Sequence, residues 1–189
     1  MTVTVNKSHP LEILDYDLLS FWFKAVKYTP AVEAEIIHQA LICPTYGEYG
    51  PQPTIVILGG GEQAGKSLSG AMHMFAMHPF GKIFWIVGET YADSRKEFEY
   101  LTDAAIRVGA LHPDNVSFPL ERSCRATFNN GLVVRTLSSG DVTTLAGESP
   151  DGILMVEAGR QSYQAFRVLL GRSQHNTAWF LVSGTFEAT

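Results

Sequence analysis

Residues 54–77 read TIVILGGGEQAGKSLSGAMHMFAM. Ile55-Val56-Ile57-Leu58 is a short, apolar, β-branched run of the kind expected of a strand buried on both faces. It ends in Gly59-Gly60-Gly61. From Gly60 the chain fits G-x-x-x-x-G-K-[ST], with Gly60, Gly65, Lys66 and Ser67 at the defining positions. Small and helix-compatible residues follow from Leu68 to Met77. Strand, glycine turn and helix thus come in the order that a phosphate-binding P-loop requires.

The residue types suit that chemistry. Glycine lets the backbone approach a phosphate closely and adopt positive φ, so that successive N–H groups converge on one anion. A helix opening near Lys66 adds the partial positive charge of its N-terminus. The expected nucleotide cradle is Gly60, Gly61, Glu62, Gln63, Ala64, Gly65, Lys66, Ser67 and Leu68. Lys66 is expected to reach the β- and γ-phosphates, and the Ser67 hydroxyl to ligate Mg²⁺.

The rest of the chain alternates strands and helices around this unit. Lys82 to Val87 predicts a second strand. Thr90 and Asp93 have capping-box spacing ahead of a helix that runs to about Val108, with Phe98, Leu101, Ala105 and Val108 on one face. This βαβα order predicts an α/β fold with a mostly parallel sheet. Cys124–Phe128 and Leu132–Leu137 flank Asn129-Asn130-Gly131, a strong hairpin signal, and Arg122, Arg125 and Arg135 gather there. Gly152 to Val156 and Ala178 to Val182 predict two more strands, with a helix over Gln161–Leu170 between them. Upstream, Leu11–Val26 and Ala31–Leu41 have helical spacing, and the turn-rich stretch Pro44–Pro53 feeds the first strand. Residues 1–53 therefore read as a helical segment packing on a core at 54–189.

Composition narrows the function classes. Of 189 residues, 46% are hydrophobic and 17% charged, an ordinary globular balance without a disorder signature. A net charge of −5 offers no bulk attraction to nucleic acid or an anionic membrane, so any DNA contact needs a local basic patch or another part of an assembly. Cys43 and Cys124 lack metal-type spacing and read as reduced thiols. No apolar run reaches membrane-span length, which predicts a soluble, intracellular protein. His73 and His78 sit in a Met-rich stretch but point to different faces of one helix, so a core helix explains them better than a metal box.

In open α/β sheets ligands sit at the carboxyl ends of the strands. Glu89, Glu157 and Ser183-Gly184-Thr185 are all expected just past strand ends. An apolar run ending in Glu157 has the form of a Walker B segment, whose carboxylate polarises the water that attacks the γ-phosphate. Ser183 and Thr185 are candidates to sense that phosphate through their hydroxyls.

These segments resemble, in order, those of the ATPase domain of tailed-phage large terminases. GGEQAGKS at 60–67 is similar to that family's P-loop, and GETYADSRKEF at 88–98 to the segment after its second strand. RATFNNGLVVRTLSSG, LAGESPDGILMVEAG and FLVSGTFEA resemble its hairpin, Walker B segment and coupling motif. The resemblance implies a three-layer, RecA-like (ASCE-type) P-loop NTPase with a β-hairpin near 124–137. It makes Lys66 and Glu157 catalytic, Ser67 the Mg²⁺ contact, and Ser183, Gly184 and Thr185 the coupling motif. It implies ATP as substrate, double-stranded DNA as the translocated partner, a homo-oligomeric ring on a capsid portal, a small terminase subunit and a host-cytoplasmic location. Arg160, Arg167 and Arg172 are candidates for an arginine finger acting in trans. The family's nuclease domain has no counterpart, and the abrupt finish at Thr189 suggests a truncated chain or a lobe whose partner is missing. Three positions differ from the family pattern. Glu62 stands at its P-loop arginine, Val156 at its Walker B aspartate, and Ala31-Val32-Glu33 follow Pro30 where it has an adenine-reading glutamine. Two other readings stay open: a nucleotide-binding assembly module without turnover, and a small-molecule P-loop kinase.

Overall fold

A computed structural model describes residues 55–59, 65–145, 147–175 and 178–185. The expected N-terminal helices and most of the glycine loop, Gly60 to Ala64, lie outside the described residues. Strands are β1 (Ile55–Gly59), β2 (Ile83–Gly88), β3 (Val116–Ser117), β4 (Arg125–Thr127), β5 (Val133–Ser138), β6 (Gly152–Met155) and β7 (Trp179–Gly184). Helices are α1 (Lys66–Met77), α2 (Arg95–Arg107) and α3 (Tyr163–His175). All strands join one seven-stranded sheet in the order β1-β7-β6-β2-β5-β4-β3. The five from β1 to β5 run parallel; β4 is antiparallel to β5, and β3 to β4.

Strand alternation sorts the core into two layers, one on each face of the sheet. Phe84, Ile86, Val134, Leu154, Val156 and Leu181 face α1 and α2, where they pack with Met72, Phe75, Phe98 and Leu101. Trp85, Val87, Ile153, Met155, Phe180 and Val182 face α3 and pack with Phe166 and Leu169. The architecture is therefore helix, sheet, helix, as the alternating pattern predicts. Among the described residues no helix is long and apolar enough to cross a membrane.

The hairpin forms as predicted: Thr127 pairs with Val133 across the turn, and Gly131 adopts φ 88°. It is not an appendage, because β5 also runs parallel to β2 and so extends the main sheet. Arg125 and Arg135 face each other across β4 and β5, and Arg135 pairs with Glu148.

Four expectations need correction. β1 is not buried on both faces: Val56 and Leu58 pack toward α1, whereas Ile55 is 44% and Ile57 65% exposed. On the opposite face the Tyr163–His175 helix packs chiefly on β6 and β7, which leaves the outward side chains of β1 uncovered. The last strand continues through Ser183 and Gly184, which pair with Leu58 and Gly59. Thr90 does bond Asp93, through its N–H at 2.8 Å and its hydroxyl at 2.7 Å, but these close a turn and the helix begins later, at Arg95. The helix between the last strands starts at Tyr163, beyond Gln161, whose side chain is used elsewhere.

His73 is a core residue, as the helical spacing implies. Its ring meets Trp179 edge-on at 5.1 Å, and burial lowers its pKa from 6.5 to about 4. The folded state thus takes up its proton later than the unfolded chain as pH falls. Stability is full above about pH 6.5 and falls as pH drops toward 4, by about 3 kcal/mol from this residue. Equilibrium urea unfolding of the parent and His73→Gln across pH 7 to 4 should show a flatter acid limb in the variant.

Candidate functional site

The described part of the glycine loop has the backbone the motif requires. Gly65 lies at φ 85°, ψ 9°, left-handed, and caps α1. A Cβ there would meet nothing within 4 Å, so it is the backbone angle and not space that selects glycine. The Gly65 carbonyl accepts the first helical hydrogen bond, from the Ser69 N–H at 2.9 Å. Lys66, Ser67 and Leu68 form the first turn, each half-buried, and Leu68 packs on the core. No acidic residue lies in that turn, so the positive end of the helix dipole is unopposed within it.

At the carboxyl end of β6 the chain leaves the sheet through Glu157, at φ 47°, ψ 48°. This is the one non-glycine residue with positive φ among the described residues. Such a conformation costs an L-residue about 1 kcal/mol or more, and strain of this kind concentrates at working sites. A short 3₁₀ turn, Ala158–Arg160, follows immediately. Gly184 lies against it: a Cβ on Gly184 would sit 3.3 Å from the Ala158 nitrogen and 3.5 Å from that of Gly159. The expected catalytic acid and the expected coupling motif are thus neighbours through backbone contact. Ser183 is buried, on the sheet face that carries α1, and Thr185 is half-buried. Glu89, beyond β2, is exposed, and its carbonyl accepts hydrogen bonds from the Ser138 hydroxyl and the Gly140 N–H.

Two residues not foreseen from the sequence complete the arrangement. The Gln161 amide donates to the carbonyls of Val87 at 2.9 Å and Val156 at 2.6 Å. It thereby ties the ends of β2 and β6 together directly behind Glu157. Glu97, in the first turn of α2, is buried, with the Ser67 side chain near its carboxyl group. Burial holds the Glu97 carboxyl above the usual range; the polar Ser67 side chain opposes this, and the Glu157 charge reinforces it. Ser67, Glu97 and Glu157 therefore share one electrostatic neighbourhood. Glu97 lies on the same stripe as Leu101 and Ala105, but a glutamate in the first turn of a helix carries no signal of this placement in the sequence.

Among the described residues no group of three or more His, Cys, Asp or Glu could hold a metal ion by itself. A Mg²⁺ here would have to be carried by nucleotide phosphates and waters with Ser67, which suits its preference for a largely hydrated octahedral shell. Arg160 and Arg167 are exposed and Arg172 is half-buried, all beyond β6.

No protein-family model matches the chain, and no curated protein matches it either. Solved structures do. A mutant of the large terminase ATPase domain of Thermus phage P74-26 aligns with a TM-score of 0.58 at 17% identity, covering 92% of this chain and 69% of that one. The large terminase of a thermophilic bacteriophage, in complex with ATP-gamma-S, aligns with a TM-score of 0.52 at 15% identity, covering 88% of this chain and 36% of that one. The UvsW helicase of bacteriophage T4 aligns with a TM-score of 0.52 at 13% identity, over 84% of this chain and 53% of the helicase. The likeness is one of fold, a RecA-like, mostly parallel sheet with flanking helices.

Proposed function

We propose that this domain hydrolyses ATP to drive double-stranded DNA into a phage capsid, as the ATPase domain of a large terminase. One observation carries the reading. Left-handed Gly65 and Ser67, at the start of the helix after β1, and strained Glu157, at the end of β6, follow the carboxyl ends of parallel strands of one sheet. In this reading the loop amides of 60–67 and the Lys66 ammonium hold the phosphates. Mg²⁺, when bound beside Ser67, neutralises charge on the transferred phosphoryl group. Glu157 orients the attacking water and takes its proton. Ser183, Gly184 and Thr185, packed on the turn behind Glu157, pass loss of the γ-phosphate to neighbouring elements. A ring of copies, an arginine supplied in trans, a portal, a small subunit and the host cytoplasm complete the picture by analogy with the terminases.

Val156 favours a second reading, a nucleotide-binding assembly module without turnover, because an apolar residue occupies the strand position next to the acid. Two readings on one protein separate these proposals: protection by Mg·ATP against heat, and phosphate release from ATP with and without DNA. Protection with release supports the motor. Protection without release supports the binding module, and absence of both overturns each.

A further inference from the structure

Between Glu157 and Glu187 the chain holds three arginines and neither Asp nor Glu, although its overall net charge is −5. Much of this basic stretch is displayed by α3. Ala165, Leu169 and Ser173 form the buried stripe of that helix. Tyr163, Gln164, Arg167 and Gln174 are exposed, and Arg160 is exposed in the turn ahead of them. A face that only meets water has no reason to exclude acids, since a solvated surface ordinarily mixes both signs of charge. Nor does the fold use these arginines in ion pairs. Arg95 donates to the carbonyls of Phe118 and Pro119, and Arg135 pairs with Glu148. Among the described residues no carboxylate pairs with Arg160, Arg167 or Arg172.

Tyr163 adds a second feature. It is 75% exposed, yet its ring stacks on Phe166 at 6.4 Å, and Phe166 stacks in turn on Phe180 of β7 at 5.6 Å. This ladder of rings holds the phenol at the surface, so a partner that touches it gives up little side-chain entropy. Guanidinium, phenol and amide groups are among the side chains that donate to phosphate oxygens along a nucleic-acid backbone. The exposed positions of α3 carry no Leu, Ile or Val, which an interface core for another protein would favour. At about 1.5 Å per residue the helix is about 20 Å long, the rise of roughly six base pairs.

Resting on the DNA reading above, we propose that the outward face of α3, with Arg160, Tyr163 and Arg167 as its principal contacts, binds the phosphate backbone of double-stranded DNA. Contacts of this kind carry no base sequence, which suits a motor that must pass any sequence. They assign Arg160 and Arg167 to DNA and not to the nucleotide of a neighbouring subunit. Arg160 closes the turn that follows Glu157 and rests on Gly184, so a shift of that turn carries the DNA contact with it.

Fluorescence anisotropy of a short labelled duplex of arbitrary sequence, followed across a salt series, tests the assignment on the full chain. Arg160→Gln/Arg167→Gln should bind about tenfold or more weakly than the parent at low salt. It should also lower the slope of log affinity against log salt by about 2, one for each lost phosphate contact. Arg122→Gln/Arg125→Gln removes the same charge from exposed positions at the hairpin and should stay within about threefold of the parent. Arg160→Lys/Arg167→Lys keeps both charges and should keep the slope within about 0.5 of the parent's. All four positions are exposed, so each variant is expected to unfold thermally with the parent. Parent-like affinity and slope in the α3 glutamine pair, or an equal loss in the hairpin pair, overturns the inference alone. Tighter binding of poly-L-glutamate than of DNA through the same arginines overturns it in favour of an acidic protein partner. Failure of the parent to bind the duplex at low salt overturns the DNA reading together with this inference, and leaves nucleotide binding to be judged by protection with Mg·ATP.

Discussion

Glu157→Gln is expected to slow phosphate release from ATP by at least about 100-fold, the range typical of losing a positioned general base, while nucleotide binding stays near that of the parent. The amide keeps the size of the side chain and the same left-handed backbone, so the comparison isolates the carboxylate. The fold around it is held independently: Gln161 pins the ends of β2 and β6, and the turn after Glu157 rests on Gly184. A variant unable to turn over ATP but still protected by it would carry the reading that Glu157 acts on water and not on binding. Turnover as fast as the parent's would remove Glu157 from the mechanism.

Gly152→Ala is expected to destabilise the fold by about 3 kcal/mol, the upper part of the range for overpacking a core. A Cβ on Gly152 would lie 2.1 Å from the Trp179 ring and 2.2 Å from the next ring carbon. Trp179 cannot swing aside freely, because Phe84 and His73 both meet its ring edge-on at 5.1 Å. Gly152 pairs with Trp179 across β6 and β7, so relief would require the two strands to part at the start of the segment that carries Glu157. For a chain of this length such a loss lowers Tm by roughly 6–12 °C. Thermal unfolding followed by circular dichroism reads it directly, and a Tm within a degree or two of the parent would show that the strands separate more easily than the packing implies.

Much of the fold was legible because its signals are local. The hairpin followed from Asn130-Gly131 between apolar segments, and α1 from a small-residue run after a glycine turn. The helical face of α2 followed from Phe98, Leu101 and Ala105, all fully buried. What was not legible depends on neighbours that sequence spacing does not name. A run such as Ile55–Leu58 has the same composition whether both of its faces are covered or one, and here Ile55 and Ile57 are exposed. Val116–Ser117 is too short to carry an alternating pattern, and it becomes a strand only because β4 offers an antiparallel partner. At the site, Lys66, Ser67 and Glu157 follow from a motif and a strand end. Glu97 does not, because a glutamate in the first turn of a helix reads as a favourable dipole contact. Only the packing of α2 against α1 turns it toward Ser67. Gln161 is equally silent in sequence, since its value lies in two carbonyls on strands far apart along the chain.

The central claim is that the loop from Gly60 to Ser67 holds the polyphosphate of a nucleoside triphosphate. Its most direct test is the midpoint of thermal unfolding with and without Mg·ATP, for the parent and for Lys66→Ala. At a ligand concentration about 100 times Kd, binding to the folded state alone adds about 2.7 kcal/mol, which raises Tm by roughly 5–10 °C in a chain of this size. The account predicts that rise in the parent and its near-complete loss in Lys66→Ala. An unchanged midpoint in the parent at millimolar Mg·ATP, or an equal rise in Lys66→Ala, would contradict it.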